Sequence, residues 1–236
     1  PNQMSRPNDR RRNGFIEGQG GGVLLLAKLS KAVEMGLPVY AALAFTATHS
    51  DGHQTSIPAP GLGLVNIAEK DAGIDGEAPL ISALSKFNLG VDDIHVVSKH
   101  DTSTNLNDSN ENDLHQRIAK KLGRKDGNPI LVHSQKSILG HGRGGAAAWQ
   151  ANAAIQILLD EVVPGNPNLD DVDPAFAKYD LMTFTDRAIP LHRPKAVLLT
   201  SLGFGHVGAA VLFAHPHSAL NKLSETSWVN YRDKLK

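Results

Sequence analysis

Segments of strand-like and helix-like composition alternate along this chain, and the alternation ends in two strand-like runs joined by a short glycine loop. The strand-like runs are rich in β-branched and aromatic residues and read "PVYAALAFTATHS", "DDIHVVSKH", "PILVHS", "AVLLTSL" and "AAVLFAHP". The helix-like runs are "APLISALSKFN", "NDSNENDLHQRIAKKLG" and "GGAAAWQANAAIQILLDE". This pattern predicts an α/β fold with a mixed sheet and helices on both faces. The short final link favours an antiparallel pair of strands.

Local signals place several element boundaries. The helix in "NDSNENDLHQRIAKKLG" is predicted to have Asn107 or Asp108 as its N-cap and to end at Gly123. Further upstream, the apolar run at residues 23–27 is predicted to be a buried strand, followed by a short helix that ends at Gly36.

Charge and hydropathy argue against two classes of partner. The 24 basic and 24 acidic residues give a formal net charge of zero, so no global field attracts nucleic acid or an anionic membrane. The run Arg10, Arg11, Arg12 is interpreted as a solvated arm. Residues 23–27 are too few to span a bilayer, and the polar, basic start does not resemble a signal peptide. We expect a cytoplasmic protein that is part of a longer polypeptide.

The stretch "HSQKSILGHGRGGAAAW", from His133 to Trp149, admits two interpretations. Its glycines at 140, 142 and 145 spell G-x-G-x-x-G between a predicted strand and helix, with Asp160 about twenty residues on, as in a dinucleotide site. In that fold, however, the acidic residue ends a second strand, whereas Asp160 ends the same predicted helix. Nucleotide binding is therefore the weaker interpretation.

The other interpretation rests on His141. We expect its ring to be neutral, because the amino terminus of the following helix and the nearby Lys136 both disfavour an imidazolium. A neutral imidazole can donate one hydrogen bond to an oxygen that gains negative charge in a transition state.

Three of the predicted loops follow strands, and in an α/β sheet such loops gather at one edge. They contain His100, the stretch from Lys136 to His141, and the glycine loop at residues 203–208. In "HDTSTNLNDSNE", Thr102 and Thr104 could offer hydroxyls to a substrate arm. Asp108 and Glu111 share one helix face, although an ordinary threonine turn and an acidic helix start would look the same.

Other catalytic and metal frameworks find little support. The chain has no cysteine, which excludes disulfides, thiolate metal sites and thiol catalysis by this chain alone. His49 with His53, or His215 with His217, could chelate a metal, but no motif such as H-E-x-x-H occurs. The G-x-S-x-G elbow of a serine hydrolase is absent.

Three motifs, in order, resemble those of β-ketoacyl synthases. "HDTSTNLNDSNE" resembles H-G-T-G-T-x-x-x-D-x-x-E, "SQKSILGHGRGGAAA" resembles K-S-x-x-G-H-x-x-G-A-A, and "TSLGFGHVGAAV" resembles S-F-G-F-G-G-x-N. Upstream, "RNGFIEGQGGGVLLL" is similar to the family's R-D-G-F-V-x-G-E-G-A-G stretch. The likeness runs from about Met4 to Pro216. It is strongest to the carboxyl-terminal half of the ketosynthase region of bacterial and fungal type I fatty acid synthases.

The resemblance implies a thiolase-like fold, in which two α/β halves form five layers. Residues 1–36 would end the amino-terminal half, residues 37–216 would form the carboxyl-terminal half, and residues 217–236 would be a tail or linker. The implied activity is that of an acyltransferase in fatty acid biosynthesis, which condenses malonyl thioester with an enzyme-bound acyl group. The implied partners are an acyl carrier protein, the amino-terminal half, and further copies in a homodimer within a larger homo-oligomer, typically a hexamer.

The resemblance also assigns catalytic roles. His100 and His141 would hold the thioester carbonyl during decarboxylation and condensation. Lys136 would orient and tune His141, with Glu111 as its partner in the acidic helix.

Substrate contacts are implied as well. Thr102 and Thr104 would contact the phosphopantetheine arm delivered on the carrier protein. Phe204, flanked by Gly203 and Gly205, would gate the acyl channel. No metal or soluble cofactor is implied.

The chain departs from the family pattern at three points. Asp101 and His206 stand where the family usually has glycine. The family's nucleophilic cysteine would lie upstream of this sequence, so the chain alone should be inactive in condensation. A non-catalytic ketosynthase-like module, used for dimerisation or chain-length determination, is the alternative. A thiolase half is disfavoured, because thiolases carry a second cysteine in the final glycine loop.

Overall fold

A six-stranded mixed sheet organises the chain, which the computed structural model describes over residues 5–52, 62–205 and 207–235. The strands are β1 (Ala42–Ser50), β2 (Ile94–Ser98), β3 (Ile130–His133), β4 (Val162–Val163), β5 (Met182–Phe184), β6 (Ile189–Pro190), β7 (Ala196–Gly203) and β8 (Val207–Ala214). The sheet order is β1-β8-β7-β2-β3-β5, and β4 pairs with β6 separately. The pairs β7/β2, β2/β3 and β3/β5 are parallel, whereas β7/β8 and β8/β1 are antiparallel. The predicted mixed sheet and terminal antiparallel pair are confirmed.

Seven α-helices are described. They are α1 (Leu29–Met35), α2 (Pro79–Ser85), α3 (Asn105–Lys121), α4 (Lys136–Leu139), α5 (Ala146–Asp160), α6 (Pro216–Leu220) and α7 (Glu225–Lys234). The predicted end of α1 at Gly36 is confirmed, since this residue has φ 66° and caps the last turn from the left-handed region. Within the described ranges, no helix combines the length and the apolar character that crossing a bilayer requires.

The helices cover both faces of the sheet, as predicted. Because side chains alternate along a strand, neighbouring residues enter different cores. Val97 and Leu198 pack in the cluster that contains Leu114 of α3. Val96 and Val197 pack in the cluster formed with α5. The parallel strands β2 and β3 are therefore largely buried.

The predicted N-cap of α3 is wrong. The cap is Thr104, whose hydroxyl accepts a hydrogen bond from the backbone N–H of Asn107 at 3.3 Å. Asn107 and Asp108 lie in the first turn with both side chains buried; Asn107 donates to Glu111 one turn further along α3, and Asp108 accepts the N–H of Asn8. A threonine in extended conformation satisfies an orphan amide of the first turn, so the side chains of Asn107 and Asp108 are not needed as caps.

The prediction of a buried strand at residues 23–27 is also wrong. Val23 is 97% exposed and Leu25 is 89% exposed, and the segment belongs to no strand. A strand needs a neighbour that takes up its backbone N–H and C=O groups, and a layer that covers its side chains. In the described ranges no segment does either for these residues.

Candidate active site

The loops that follow β2, β3 and β7 meet at one edge of the sheet. In the sheet order β2 lies between β7 and β3, so the parallel carboxyl ends of these strands are adjacent. A cavity of about 670 Å³ opens there. Its wall includes His100, Thr102, Thr104, His141, Gly203 and Phe204. The structure therefore brings these six predicted site residues together.

The two histidines face each other across the base of this cavity. Their ring centroids are 5.1 Å apart, and the rings meet edge to face at 87°. His100 is buried and His141 is half-buried. Phe15 packs on the other side of His141, at 5.4 Å between ring centroids. An oxygen atom between the rings could contact both.

Hydrogen bonds define which ring nitrogen carries the proton. The backbone N–H of Arg143 donates to Nδ1 of His141 at 3.0 Å, so Nδ1 is an acceptor there. Nδ1 of His100 lies 3.4 Å from the ammonium of Lys136 and 3.4 Å from the hydroxyl of Ser201. Because an ammonium group can only donate, this Nδ1 is also an acceptor. We therefore assign the proton of each neutral ring to Nε2, the atom left to bond a ligand.

Both rings are held neutral. Burial, followed by the positive charge of Lys136, lowers the pKa of His100 well below its ordinary value. Burial, followed by the charges of Lys136 and Arg143, lowers the pKa of His141 to about 4. At neutral pH both rings therefore carry one proton each and can serve as uncharged donors.

The structure supports both expected causes of the neutral state of His141. The residue lies two positions before a short 3₁₀ helix (Arg143–Gly145) that leads directly into α5, and the first N–H of this helix donates to the His141 ring. Lys136 acts in the same direction, after burial, in lowering the pKa of the ring. The backbone of His141 is bound to an upstream segment, by its N–H to the carbonyl of Ile16 at 2.6 Å and by its carbonyl to the N–H of Gly18 at 3.0 Å.

Lys136 lies beside His100 rather than His141. Its ammonium contacts Nδ1 of His100 and the side-chain oxygen of Gln150, each at 3.4 Å. Burial lowers the pKa of Lys136 to about 8, against the opposing effect of Glu111 and Asp101. The charge of Glu111 thus acts on Lys136 through space, while the contacts of Lys136 are to other groups.

The carboxylate of Glu111 holds the turn that carries His100. It accepts the backbone N–H of His100 at 2.8 Å and that of Asp101 at 2.6 Å. It also accepts the amide of Asn107 at 3.0 Å and the hydroxyl of Thr200 at 3.3 Å. Burial and the charge of Asp101 raise its pKa. Glu111 therefore positions the backbone of the turn.

Gln150 is a site residue that sequence reasoning missed. From the buried face of α5 its amide nitrogen donates to the carbonyls of Ser98, Lys99 and Thr200, at 3.3, 2.8 and 3.1 Å. It thereby connects α5 to the end of β2 and to the middle of β7. The sequence offered little signal, because α5 also contains Asn152 and Gln156 and nothing local shows that Gln150 is the amide on the buried face.

The predicted substrate-contact residues occupy different places in the cavity. The hydroxyls of Thr102 and Thr104 lie 3.0 Å apart, and both side chains line the wall. Phe204 is 67% exposed at the mouth. Gly203 is in the wall, whereas Gly205, with φ 84°, belongs to the turn between β7 and β8. Their roles toward a substrate arm stay predictions.

Packing accounts for the glycine motif without a phosphate. A Cβ on Gly142 would lie 2.7 Å from the ring of Trp149, and one on Gly145 would lie 2.7 Å from the carbonyl oxygen of Gly20. Only glycine fits at these positions, because the ring of Trp149 and the backbone of Gly20 approach them closely.

Of the two chelating pairs considered above, only His215 with His217 lies wholly within the described residues. His215 and His217 stack, with ring centroids 5.0 Å apart. Across residues 5–52, 62–205 and 207–235, no group of three potential metal ligands occurs. His53 and His206 lie outside the described residues.

Known proteins similar to this chain are synthases. A family model described as "Beta-ketoacyl synthase, C-terminal domain" matches residues 40–170. The fatty acid synthase alpha subunit stcJ of Emericella nidulans is 44% identical over 234 residues, which cover 99% of this chain and 15% of that protein. Fatty acid synthase 2 of Mycosarcoma maydis is 35% identical over 234 residues, which cover 98% of this chain and 6% of that protein. The chain thus spans a small part of these relatives.

Two solved structures share the fold. The ketosynthase FabY from P. aeruginosa superposes with a TM-score of 0.79 at 21% identity, covering 99% of this chain and 36% of its own. A ketosynthase in complex with its type II PKS acyl-carrier protein superposes with a TM-score of 0.73 at 25% identity, covering 91% of this chain and 48% of its own. The expected thiolase-like fold is confirmed.

Proposed function

Because this chain belongs to the β-ketoacyl synthase family, we propose that it supplies the enolate-stabilising side of the active site of a fatty acid synthase. The enzyme is a β-ketoacyl-[acyl carrier protein] synthase, an acyltransferase. The observation that supports this most directly is the pair of neutral imidazoles, 5.1 Å apart, whose Nε2–H groups are the free donors in one cavity.

The chemistry follows from this donor pair. The carbonyl oxygen of a malonyl thioester accepts hydrogen bonds from Nε2 of His100 and of His141. The bond to the carboxylate carbon breaks, CO₂ leaves, and the electron pair forms an enolate whose oxygen carries the new charge. Donors aimed at this oxygen stabilise the enolate more than the uncharged thioester, which lowers the barrier. The enolate carbon then attacks the acyl thioester on the enzyme, and the thiolate nucleophile leaves.

Malonyl and acyl groups arrive on the phosphopantetheine arm of an acyl carrier protein. This part of the proposal is supported by the solved ketosynthase that binds such a carrier. Thr102 and Thr104 line the path to the histidines and offer hydroxyl groups to the amides of the arm. Phe204 stands exposed at the mouth, where rotation of its ring would open or close the acyl channel.

The nucleophile comes from elsewhere in the synthase. The chain contains no cysteine and spans 15% of the length of a fatty acid synthase alpha subunit. We therefore expect this chain alone to be inactive in condensation. The homodimer within a larger homo-oligomer stays a prediction from the family resemblance, and a cytoplasmic location stays a prediction from the sequence.

The proposed function can be tested on the full-length protein that contains this chain. Carboxyl-labelled malonyl carrier protein is mixed with enzyme whose nucleophile has been acylated, and labelled CO₂ and the β-ketoacyl product are measured. Both should form in equal amounts. If the acylated enzyme yields neither, the chain is the non-catalytic module.

The pH dependence of decarboxylation gives a further test. The pKa of Lys136 is about 8 in the folded protein, so its charge beside His100 is present below pH 8 and lost above it. The enolate then loses a stabilising cation, and the rate at pH 9 should be about tenfold below its plateau. On the acid side the rate should hold down to about pH 5, because the pKa of His141 is about 4.

Stopped-flow measurement of CO₂ release between pH 5 and 10 checks this profile. The variant Lys136→Met should lose the alkaline decline, whereas Lys70→Met, at an exposed site, should keep it. An alkaline decline that persists in Lys136→Met would assign it to another group.

A further inference from the structure

Residues near the start of the chain pack against the turn that carries His100. At its centre is Asn8, which is fully buried and has φ 67°. Its side-chain oxygen accepts from the ammonium of Lys99 at 3.2 Å. Its amide nitrogen donates to the carboxylate of Asp101 at 2.9 Å. One amide group thus bonds both residues that flank His100.

Lys99 and Asp101 form an ion pair in the interior. The ammonium and a carboxylate oxygen are 2.8 Å apart, and both side chains have no exposed surface. Burying two charges is costly unless additional hydrogen bonds satisfy their remaining donors and acceptors. Asn8 and Asn112 supply such bonds to Lys99, and Asn8 and Ser134 supply them to Asp101.

The backbone of Asp101 has φ 38°, in the left-handed region. A residue with a Cβ is disfavoured there, and glycine would fit without strain. An aspartate tolerates this conformation better than most residues, and here its carboxylate also makes the buried contacts to Lys99, Asn8 and Ser134. An unfavoured conformation next to a reacting group points to a functional use of the side chain.

The turn is therefore fixed from two sides. Glu111 binds the N–H groups of His100 and Asp101. Asn8 binds the side chains before and after His100 and is itself anchored, since its own N–H donates to Asp108 at 3.0 Å. With both neighbours immobilised, the direction of the His100 ring is set.

We propose that Asn8 is a positioning residue for the decarboxylation step: by bridging the buried Lys99–Asp101 pair, it aims Nε2 of His100 at the thioester oxygen. The inference rests on the proposed function and deepens it. Asn8 touches no reacting atom, and it acts through the turn. The effect should therefore fall on the rate of the chemical step rather than on substrate binding.

The full-length protein with Asn8→Ala tests this idea against a merely structural role. Decarboxylation by Asn8→Ala should have a kcat about 10- to 100-fold below wild type, because displacing a donor by about an ångström costs this much. KM for malonyl carrier protein should stay within about twofold. Rates are normalised to folded enzyme by circular dichroism and gel filtration. Asn13→Ala, at an exposed site of the same segment, is the matched control and should leave kcat unchanged.

Two further variants test the route through the ion pair. Asn8→Asp places a carboxylate beside Asp101 and removes the donor, so its kcat should fall at least as far as that of Asn8→Ala. In the background Lys99→Met/Asp101→Gly, where the pair is gone and the turn has glycine, adding Asn8→Ala should change kcat by less than about twofold. A lower thermal midpoint of Asn8→Ala with an unchanged kcat per folded molecule would overturn the proposal. So would an equal effect of Asn8→Ala in both backgrounds.

The outcomes separate this inference from the function on which it rests. If wild-type enzyme shows no malonyl decarboxylation, the proposed function fails. If wild type is active and Asn8→Ala and Asn8→Asp match it, only the role of Asn8 fails. These single variants decide the matter even where the Lys99→Met/Asp101→Gly background does not fold.

Discussion

Replacing His141 with alanine in the full-length protein is expected to reduce the rate of malonyl decarboxylation by about 10²- to 10³-fold, the usual cost of removing one oxyanion donor. The ring is a neutral donor, with Nδ1 already bound to the N–H of Arg143. His100 remains as the second donor, so the loss should be incomplete.

The measurement is CO₂ release at saturating malonyl carrier protein, with transfer of the acyl group to the nucleophile followed separately. Acyl transfer should be affected less, because no enolate forms in that step. The control is His192→Ala, since this histidine is exposed and is not part of the cavity wall. Undiminished decarboxylation in His141→Ala would show that the role assigned to His141 is wrong.

Replacing Glu111 with glutamine is expected to lower local stability around the active site by about 2–4 kcal/mol, because a buried donor loses its charged acceptor. The carboxylate uses one oxygen for the N–H of His100 and the other for that of Asp101. A carboxamide keeps one acceptor and turns an NH₂ group toward the other N–H. The turn must shift to relieve this contact, and the rate of decarboxylation should fall with it.

Hydrogen–deuterium exchange of the peptide that covers residues 98–104 reports the change directly. Exchange in Glu111→Gln should be faster than in wild type by the factor that corresponds to the lost free energy. Glu77→Gln removes the same charge at an exposed site and should leave the peptide unaffected. Equal protection in wild type and Glu111→Gln would refute the view that this carboxylate holds the turn.

The architecture was accessible from the sequence because its signals are local. The β-rich runs that became β2 and β3 each end in a polar loop, the run that became β7 ends in a glycine loop, and parallel strands place such loops together. The meeting of His100 with His141 follows from this rule and from the resemblance to a known family. Strand and helix boundaries were less accessible, as the cap at Thr104 shows, because the choice depends on which polar side chains tertiary contacts recruit.

The environment of His100 could not be predicted, because it depends on contacts between distant residues. Asn8 and Asp101 are 93 positions apart, and nothing in either local sequence signals the other. The opposite charges of Lys99 and Asp101 are visible in the sequence, but charged residues are rarely buried without a partner, and the partners here are distant in sequence. The prediction of a buried strand at residues 23–27 was wrong because an apolar composition does not show whether another layer covers the segment.

The two histidines of the cavity are held by different parts of the fold. His100 extends from the central sheet, whereas the main chain of His141 is laced to Ile16 and Gly18, a few residues before the exposed apolar run that starts at Val23. The position of the His141 ring therefore depends on where residues 16–18 lie, and that of the His100 ring depends on the end of β2. The distance between the two rings is thus set jointly by the sheet and by a segment that precedes it in the chain.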